Sequence, residues 1–186
     1  KVEYKVSELQ TLETNSNAAI NQVTAKRTAF NNAINDRIAA FKDLRALSTR
    51  LVNALSATSA PKALIDDAKG YNKKIQGSRA TALETPTDPN APVPTTISVS
   101  QVSRDQLIQH FTGLIEVLSS EPSYNPNEAE LKISSLNTKK SLLITTNNAV
   151  SAAYADYSNA IIARNKTLYA DEKGLVPIAL GVKKYI

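Results

Sequence analysis

The chain lacks cysteine, methionine and tryptophan, and it has only three phenylalanines and five glycines among 186 residues. Without cysteine it can form no disulfide, no thiol nucleophile and no thiolate metal site. With so few aromatic residues, its core must consist mainly of Ala, Leu, Ile and Val. The absence of methionine leads us to expect that residue 1 is not the translation start.

Long apolar runs are also absent. No segment reaches the roughly 18 apolar residues that a membrane-spanning helix needs, and the polar residues 1–12 do not resemble a signal peptide. The net charge of +5 is mild and spread along the chain. No basic stripe with stacking aromatics stands out, so nucleic-acid binding is not favoured. These features leave the cellular compartment open.

Residue sets that carry chemistry are missing as well. His110 is the only histidine, and beside the Leu107/Phe111/Leu114 stripe we expect it to be structural or solvent-facing. Carboxylate pairs such as Asp66-Asp67 have no sign of an enclosing cleft, and no Gly-rich phosphate loop is present. We therefore predict a protein that is not an enzyme, with no cofactor, no metal and no small-molecule substrate.

What the sequence does contain is an internal repeat. Residues 7–37 recur without a gap at 134–164, and ten of the 31 pairs are identical. Conservative pairs such as Phe30/Tyr157 add to the match. Two related long helices in one chain are the simplest reading of this repeat.

The apolar residues of the first predicted helix, at 6–57, fall into three rows with a seven-residue period. Two rows form a coiled-coil-like stripe, and a third row flanks them, which makes the stripe wide enough to face more than one partner helix. The first row contains Leu9, Val23, Phe30, Leu44 and Leu51; the second contains Leu12, Ala19, Ala33, Ala40, Leu47 and Ala54; the flanking row contains Ile20, Ile34, Phe41 and Leu55.

Cap and turn residues set the other boundaries. Ser59 is predicted to cap a second helix, and Ser103 with Gln106 forms a capping box for a third that ends near Ser120. Between them, four prolines at 84–97 predict an extended linker.

The fourth helix is predicted from a proline-containing cap. Asn125 would be the cap, Pro126 the first helical residue and Glu128 the reciprocal capping residue. Gly174 is predicted as the C-terminal cap of this helix, and a last helix should begin near Leu175. The fold class is therefore all-α: an elongated, up-and-down antiparallel bundle of four to five helices in a single domain, 1–186.

Two segments, 121–128 and 174–185, together with the Asn159-Ala160-Ile161-x-x-Arg164 core, resemble a widespread family of uncharacterised all-helical bacterial proteins. The resemblance covers the last half of the chain and, through the repeat, its beginning. It implies an all-helical fold and a chain that continues past Ile186. No activity is assigned to that family, so no functional residue is transferred.

Arg37 and Arg164 are the candidate site residues, because both stand in the central stripe at equivalent repeat positions. One interpretation is that each runs along an Ala-rich groove to solvent. The other is that they are buried register or interface residues, together with Asn32 and Asn159.

The function predicted from these features is non-enzymatic. We expect a structural or scaffold protein, a rod-like helical bundle that associates with itself or with a protein partner. A membrane-active, pore-forming-like bundle is the alternative, and a nucleic-acid-binding bundle is the third candidate.

Overall fold

The computed structural model describes residues 5–77 and 102–185, of which 83% are helical, with no strand among them. The all-α prediction is thus confirmed, while the linker predicted at 84–97 lies outside the described residues. The described elements, in chain order, are α1 (Val6–Phe41), α2 (Leu44–Ser56), α3 (Lys62–Gln76), α4 (Arg104–Ser119), a 3-10 helix (Ala129–Leu131), α5 (Ile133–Tyr169) and α6 (Leu175–Tyr185).

The chain divides into two compact units. The paired-helix unit comprises the described residues up to Ala39 and those from Asn148 onward; the core unit comprises Ala40–Asn147. Both boundaries fall near or within long helices, α1 and α5. The prediction of one elongated domain stays a prediction.

The core unit has a well-filled apolar interior. Helices α2, α3 and α4 pack against one another, and the first half of α5 adds Leu136 and Leu143. Leu51, Phe111 and Leu136 are completely buried. Because each buried side chain of this size stabilises the fold by roughly 1.5–3 kcal/mol, this cluster accounts for most of the unit's hydrophobic stabilisation.

In the paired-helix unit, burial on α1 follows a narrow seam. Nearly all α1 residues outside this seam are exposed. The partly or fully buried residues recur at alternating steps of three and four, which is the pattern of a two-stranded coiled coil. They are Leu9, Leu12, Ser16, Ala19, Val23, Lys26, Phe30, Ala33 and Arg37, with Ile34 as the one addition outside the seam. The buried hydroxyl of Ser16 is satisfied within the helix, because it donates to the Leu12 carbonyl at 2.7 Å.

Helix α5 follows α1 in the antiparallel direction. Near the middle of α1, the Lys26 ammonium lies 2.6 Å from Asp156, and the Phe30 ring stacks on Tyr157 at a centroid distance of 6.1 Å. Near its N-terminal end, Leu12 instead shares a cleft with Ile178 of α6. Phe30 and Tyr157 are repeat equivalents, so the two halves of the repeat meet each other at equivalent residues.

The predicted first helix is wrong in its length, because it breaks at Lys42 and Asp43. Both residues are exposed, whereas Phe41 and Leu44 on either side are buried in the core unit. Asp is a poor residue inside a helix. Its carboxylate here accepts from Lys139 at 3.4 Å, while its carbonyl starts α2 by accepting from the Leu47 amide.

The proline-containing cap at 125–128 is also wrong, since α5 begins only at Ile133. The reason is tertiary: Tyr124 is buried, and its hydroxyl donates to the Leu131 carbonyl at 2.9 Å. This bond and the burial of both side chains hold the segment in an irregular path with a single 3-10 turn. Burial raises the pKa of Tyr124 to about 12, with a further contribution from the charge of Glu128.

Three other caps have mixed outcomes. Ser103 accepts from the Gln106 amide at 3.2 Å, which confirms that half of the capping box. Ser59 is not a cap, because α3 begins after Pro61. Gly174 does not end α5 either: the left-handed residue there is Glu172 (φ 60°). A side chain at Gly174 would lie 2.7 Å from the Ala170 nitrogen, so close backbone approach accounts for this glycine.

Candidate functional site

The flanking row of the sequence pattern has different surroundings in the two units. In the core unit, its members Phe41 and Leu55 are 6% and 0% exposed. In the paired-helix unit, Ile20 is 44% exposed and Ile34 is partly exposed. The third row is thus buried among helices in the core unit, whereas in the paired-helix unit it is exposed at Ile20 and partly buried at Ile34.

Extended by its seven-residue period, the flanking row of α1 contains five residues on one face of the helix. They are Val6, Glu13, Ile20, Arg27 and Ile34. Seven residues are almost two helical turns, so these side chains drift by only about 20° from one to the next. Val6 is the most exposed of the three apolar members, at 71%. We call this set the α1 outer row.

The two charges of the α1 outer row are arranged symmetrically. Glu13 and Arg27 stand seven residues on either side of Ile20, and both are exposed. Within 5–77 and 102–185, neither takes part in an ion pair. The row beside it is uncharged: Gln10, Asn17, Thr24, Asn31 and Ile38.

The same unit exposes further large apolar side chains. Tyr154, Ile162 and Tyr169 are exposed on α5, and Val176 and Leu180 on α6. The described part of the core unit exposes fewer large apolar side chains, namely Val102, Leu142 and Ile144. The paired-helix unit therefore leaves several large apolar side chains exposed outside its narrow seam.

The candidate arginines lie in this unit but are not brought together. Both are half-buried at equivalent seam positions. Each follows its aromatic repeat partner, Phe30 or Tyr157, by seven residues, and the helices are antiparallel. The two arginines therefore lie on opposite sides of the ring stack, about 20 Å apart along the axis. Arg164 donates to the Asn165 side chain at 2.7 Å.

Asn32 and Asn159, the other candidates, are exposed and lie outside the seam. They occupy equivalent positions on the outward surfaces of α1 and α5. Nothing in their surroundings distinguishes them as an interface pair. A register or interface role for these four residues stays a prediction.

A polar cluster that the sequence did not reveal joins α2 to α3 in the core unit. Ser48 is completely buried and donates to the Asn72 side chain at 2.8 Å. The side-chain amide of Gln76 donates to the Arg45 carbonyl at 2.8 Å and to the Asn72 side-chain oxygen at 3.0 Å. The Arg45 guanidinium in turn donates to the Ile75 carbonyl. Because every member is bonded, the cluster fixes how α2 and α3 align.

His110 is buried on α4, which agrees with a structural place and rules out a solvent-facing one. Its Nε2 atom has no hydrogen-bond partner within the described part of the chain. Burial lowers the pKa of this imidazole, and the nearby Lys74 charge lowers it further. A buried, neutral histidine that no carboxylate contacts by a hydrogen bond among the described residues is typical of a structural position.

An open cleft of about 430 Å³ lies in the paired-helix unit between Leu12, Glu172 and Ile178. In the described ranges, no three acidic or histidine side chains meet as a set of metal ligands. No described helix combines the length and hydropathy that crossing a bilayer requires.

Comparison with protein-family models, with curated proteins and with solved structures finds no match.

Proposed function

We propose that this protein is a non-enzymatic structural or interaction protein, a helical scaffold that binds a second copy of itself or a protein partner through its paired-helix unit. The core unit supplies stability, and the paired-helix unit supplies a surface. The role is one of association and requires no reacting group.

The observation that carries this proposal is the contrast in the flanking row. One sequence pattern produces a row that is buried where several helices meet and exposed where two helices pair. Apolar residues at this row, beyond those of a two-helix seam, are typical of helices with more than one helical neighbour. Another helix or pair of helices is therefore the natural complement of the exposed row.

A protein surface suits this face better than a lipid or nucleic-acid surface. Helices that lie on membranes carry Lys and Arg along their polar side, whereas the α1 outer row holds one acid and one base, and its neighbouring row is uncharged. Nucleic-acid binding needs several cations on one face. The membrane-active alternative predicts leakage from vesicles, which the protein-binding proposal does not.

The test is a charge placed in the middle of the face. Ile20→Glu should abolish association with copies or partners and leave the helical content unchanged, because the side chain is exposed in the isolated chain. Asn21→Glu is the matched control, since it lies one residue along α1 and off the row. Association is read by sedimentation velocity of the pure protein and by affinity capture from native cell extract.

The outcomes separate the candidates. Loss of a bound species with Ile20→Glu alone supports the proposal. Equal association of parent and both variants contradicts it. Dye release from anionic vesicles that depends on Ile20 would replace it with the membrane-active alternative.

A further inference from the structure

We infer that the α1 outer row binds the same row of a second copy, with the two α1 helices antiparallel and a two-fold axis passing beside Ile20. This inference rests on the proposed function and names the partner. It is carried by the positions of the apolar and charged residues along the row.

The order of residues along the row is self-complementary. An antiparallel pairing centred on Ile20 brings each residue opposite the one that lies equally far on the other side of the centre. Glu13 of one copy then meets Arg27 of the other, twice by symmetry, and Ile20 meets its own copy. Val6 meets Ile34 in the same way. Every position in the row therefore finds an apolar or oppositely charged counterpart, as an isologous interface requires.

The charges also select the direction of pairing. In a parallel pair, Glu13 would face Glu13 and Arg27 would face Arg27 of the second copy. Like charges facing each other are destabilising, and opposite charges at such flanking positions set the partner and orientation of helices. Since neither charge is used within the described parts of the chain, both are available to a second copy.

The row is long enough to run along most of α1. From Val6 to Ile34 the row runs for about 42 Å along α1 at 1.5 Å per residue. Two paired-helix units meeting along this length would place four helices around one shared core. The flanking row would then be buried in the same way as Phe41 and Leu55 are buried in the core unit.

Reversal and restoration of charge test this pairing with the whole chain. Glu13→Lys alone puts two cations opposite each other at both symmetric positions. It should raise the dimer dissociation constant by about tenfold at low salt. Adding Arg27→Glu restores opposite charges across the two-fold, and the dissociation constant should return to within about threefold of the parent. Sedimentation equilibrium over a range of concentrations measures all three.

Asn21→Lys is the control, because it adds the same kind of charge to the same helix off the row. It should leave the dissociation constant close to that of the parent. The double reversal can restore binding only to a second copy that carries the same two substitutions, since an unrelated partner keeps its own charges.

Two results would overturn the inference. One is a parent that stays monomeric at millimolar concentration; the other is a double reversal that associates as weakly as Glu13→Lys. If the parent is monomeric but Ile20→Glu still loses a captured protein, the inference fails and the proposed function stands. If neither association exists, both fail.

Discussion

The core unit and the paired-helix unit share one seven-residue pattern of apolar residues, but they differ in how far its flanking row is buried. In the core unit, the first and flanking rows are buried and the second row is buried or partly buried, because α2, α3, α4 and the start of α5 pack around them. In the paired-helix unit, two rows of α1 are mostly half-buried in the seam, and the third is exposed except at Ile34, which is partly buried. The difference shows that the flanking row is buried only where a segment has more than one helical neighbour.

The contrast extends to the residues in the seam. The core unit fills its interior mainly with Leu, Ile and Phe, beside the buried polar residues Ser48 and His110, whereas the paired-helix seam includes Ser16, Lys26 and Arg37. Polar seam residues reduce the stability of a coiled coil but specify its register and partner. The paired-helix unit is therefore suited to selective contact, and the core unit to stability.

The largest expected effect compares a truncation in each unit. Phe111→Ala removes a completely buried ring from the core unit and should lower the free energy of unfolding by about 3–5 kcal/mol. Ile20→Ala should change it by less than about 1 kcal/mol, because the side chain is already 44% exposed and Ala favours helix. Urea denaturation at a concentration below self-association measures both. A similar cost for the two would abolish the contrast between the units.

A pair of glycine substitutions sharpens the comparison within the core unit. A methyl group at Gly113 would overlap the Tyr71 ring, whereas one at Gly70 would meet nothing within 4 Å. Gly113→Ala should therefore destabilise the protein by about 1–3 kcal/mol through overpacking. Gly70→Ala should stabilise it by about 0.5–1 kcal/mol through helix propensity. Thermal unfolding of the two variants checks the signs, and a stabilising Gly113→Ala would mean that α3 and α4 are less closely packed.

His110 should make the free energy of unfolding depend on pH. Because burial and Lys74 lower its pKa in the folded state, the unfolded chain takes up the proton first as the pH falls below about 6.5. The free energy of unfolding should therefore decrease as the pH falls from there toward the folded-state pKa, and should be flat above about pH 7.5.

His110→Leu should remove this slope, since it replaces the titrating group with an apolar side chain and leaves no unbonded Nε2. The carboxylates of Glu121 and Glu130 have lowered pKa values and titrate well below this window. Urea denaturation from pH 8 to pH 5 makes the measurement. An unchanged slope in His110→Leu would assign the dependence to another group.

The smallest effect is expected at the paired-helix seam. Arg164→Leu removes a side chain whose bonded partner is its own neighbour, Asn165. An apolar residue at a half-buried seam position should leave the free energy of unfolding unchanged or raise it by up to about 1 kcal/mol. If Arg164 also fixes register, sedimentation should show altered association. Unaltered association with Arg164→Leu would leave only the structural interpretation.

The sequence predicted the helical fold, most of the helices and the rows, because these depend on local periodicity. It missed the break at Lys42 and the late start of α5, and it wrongly assigned Gly174 and Ser59 as helix caps. The Tyr124–Leu131 bond and the backbone approach at Gly174 join residues whose contact depends on the tertiary path.

The candidate site was predicted only in part. The flanking row was visible in the sequence through Ile20 and Ile34, but its exposure depends on how many helices assemble around α1. Arg37 and Arg164 stood out because the repeat aligns them, yet an antiparallel pair places equivalent residues far apart except near its centre. The residues that do meet there, Phe30 and Tyr157, were a conservative pair of the same repeat.

The most direct test of the central claim uses the absence of cysteine from the chain. With Ile20→Cys, the only thiol of each molecule would lie at the two-fold axis between two copies. Mild oxidation should rapidly link the folded Ile20→Cys variant into a disulfide-bonded dimer, and the same linkage should be slow in denaturant. Asn21→Cys, one residue off the row, should link slowly in both conditions. Rapid linkage of Ile20→Cys alone is the result that the account predicts, and equal rates for the two variants would contradict it.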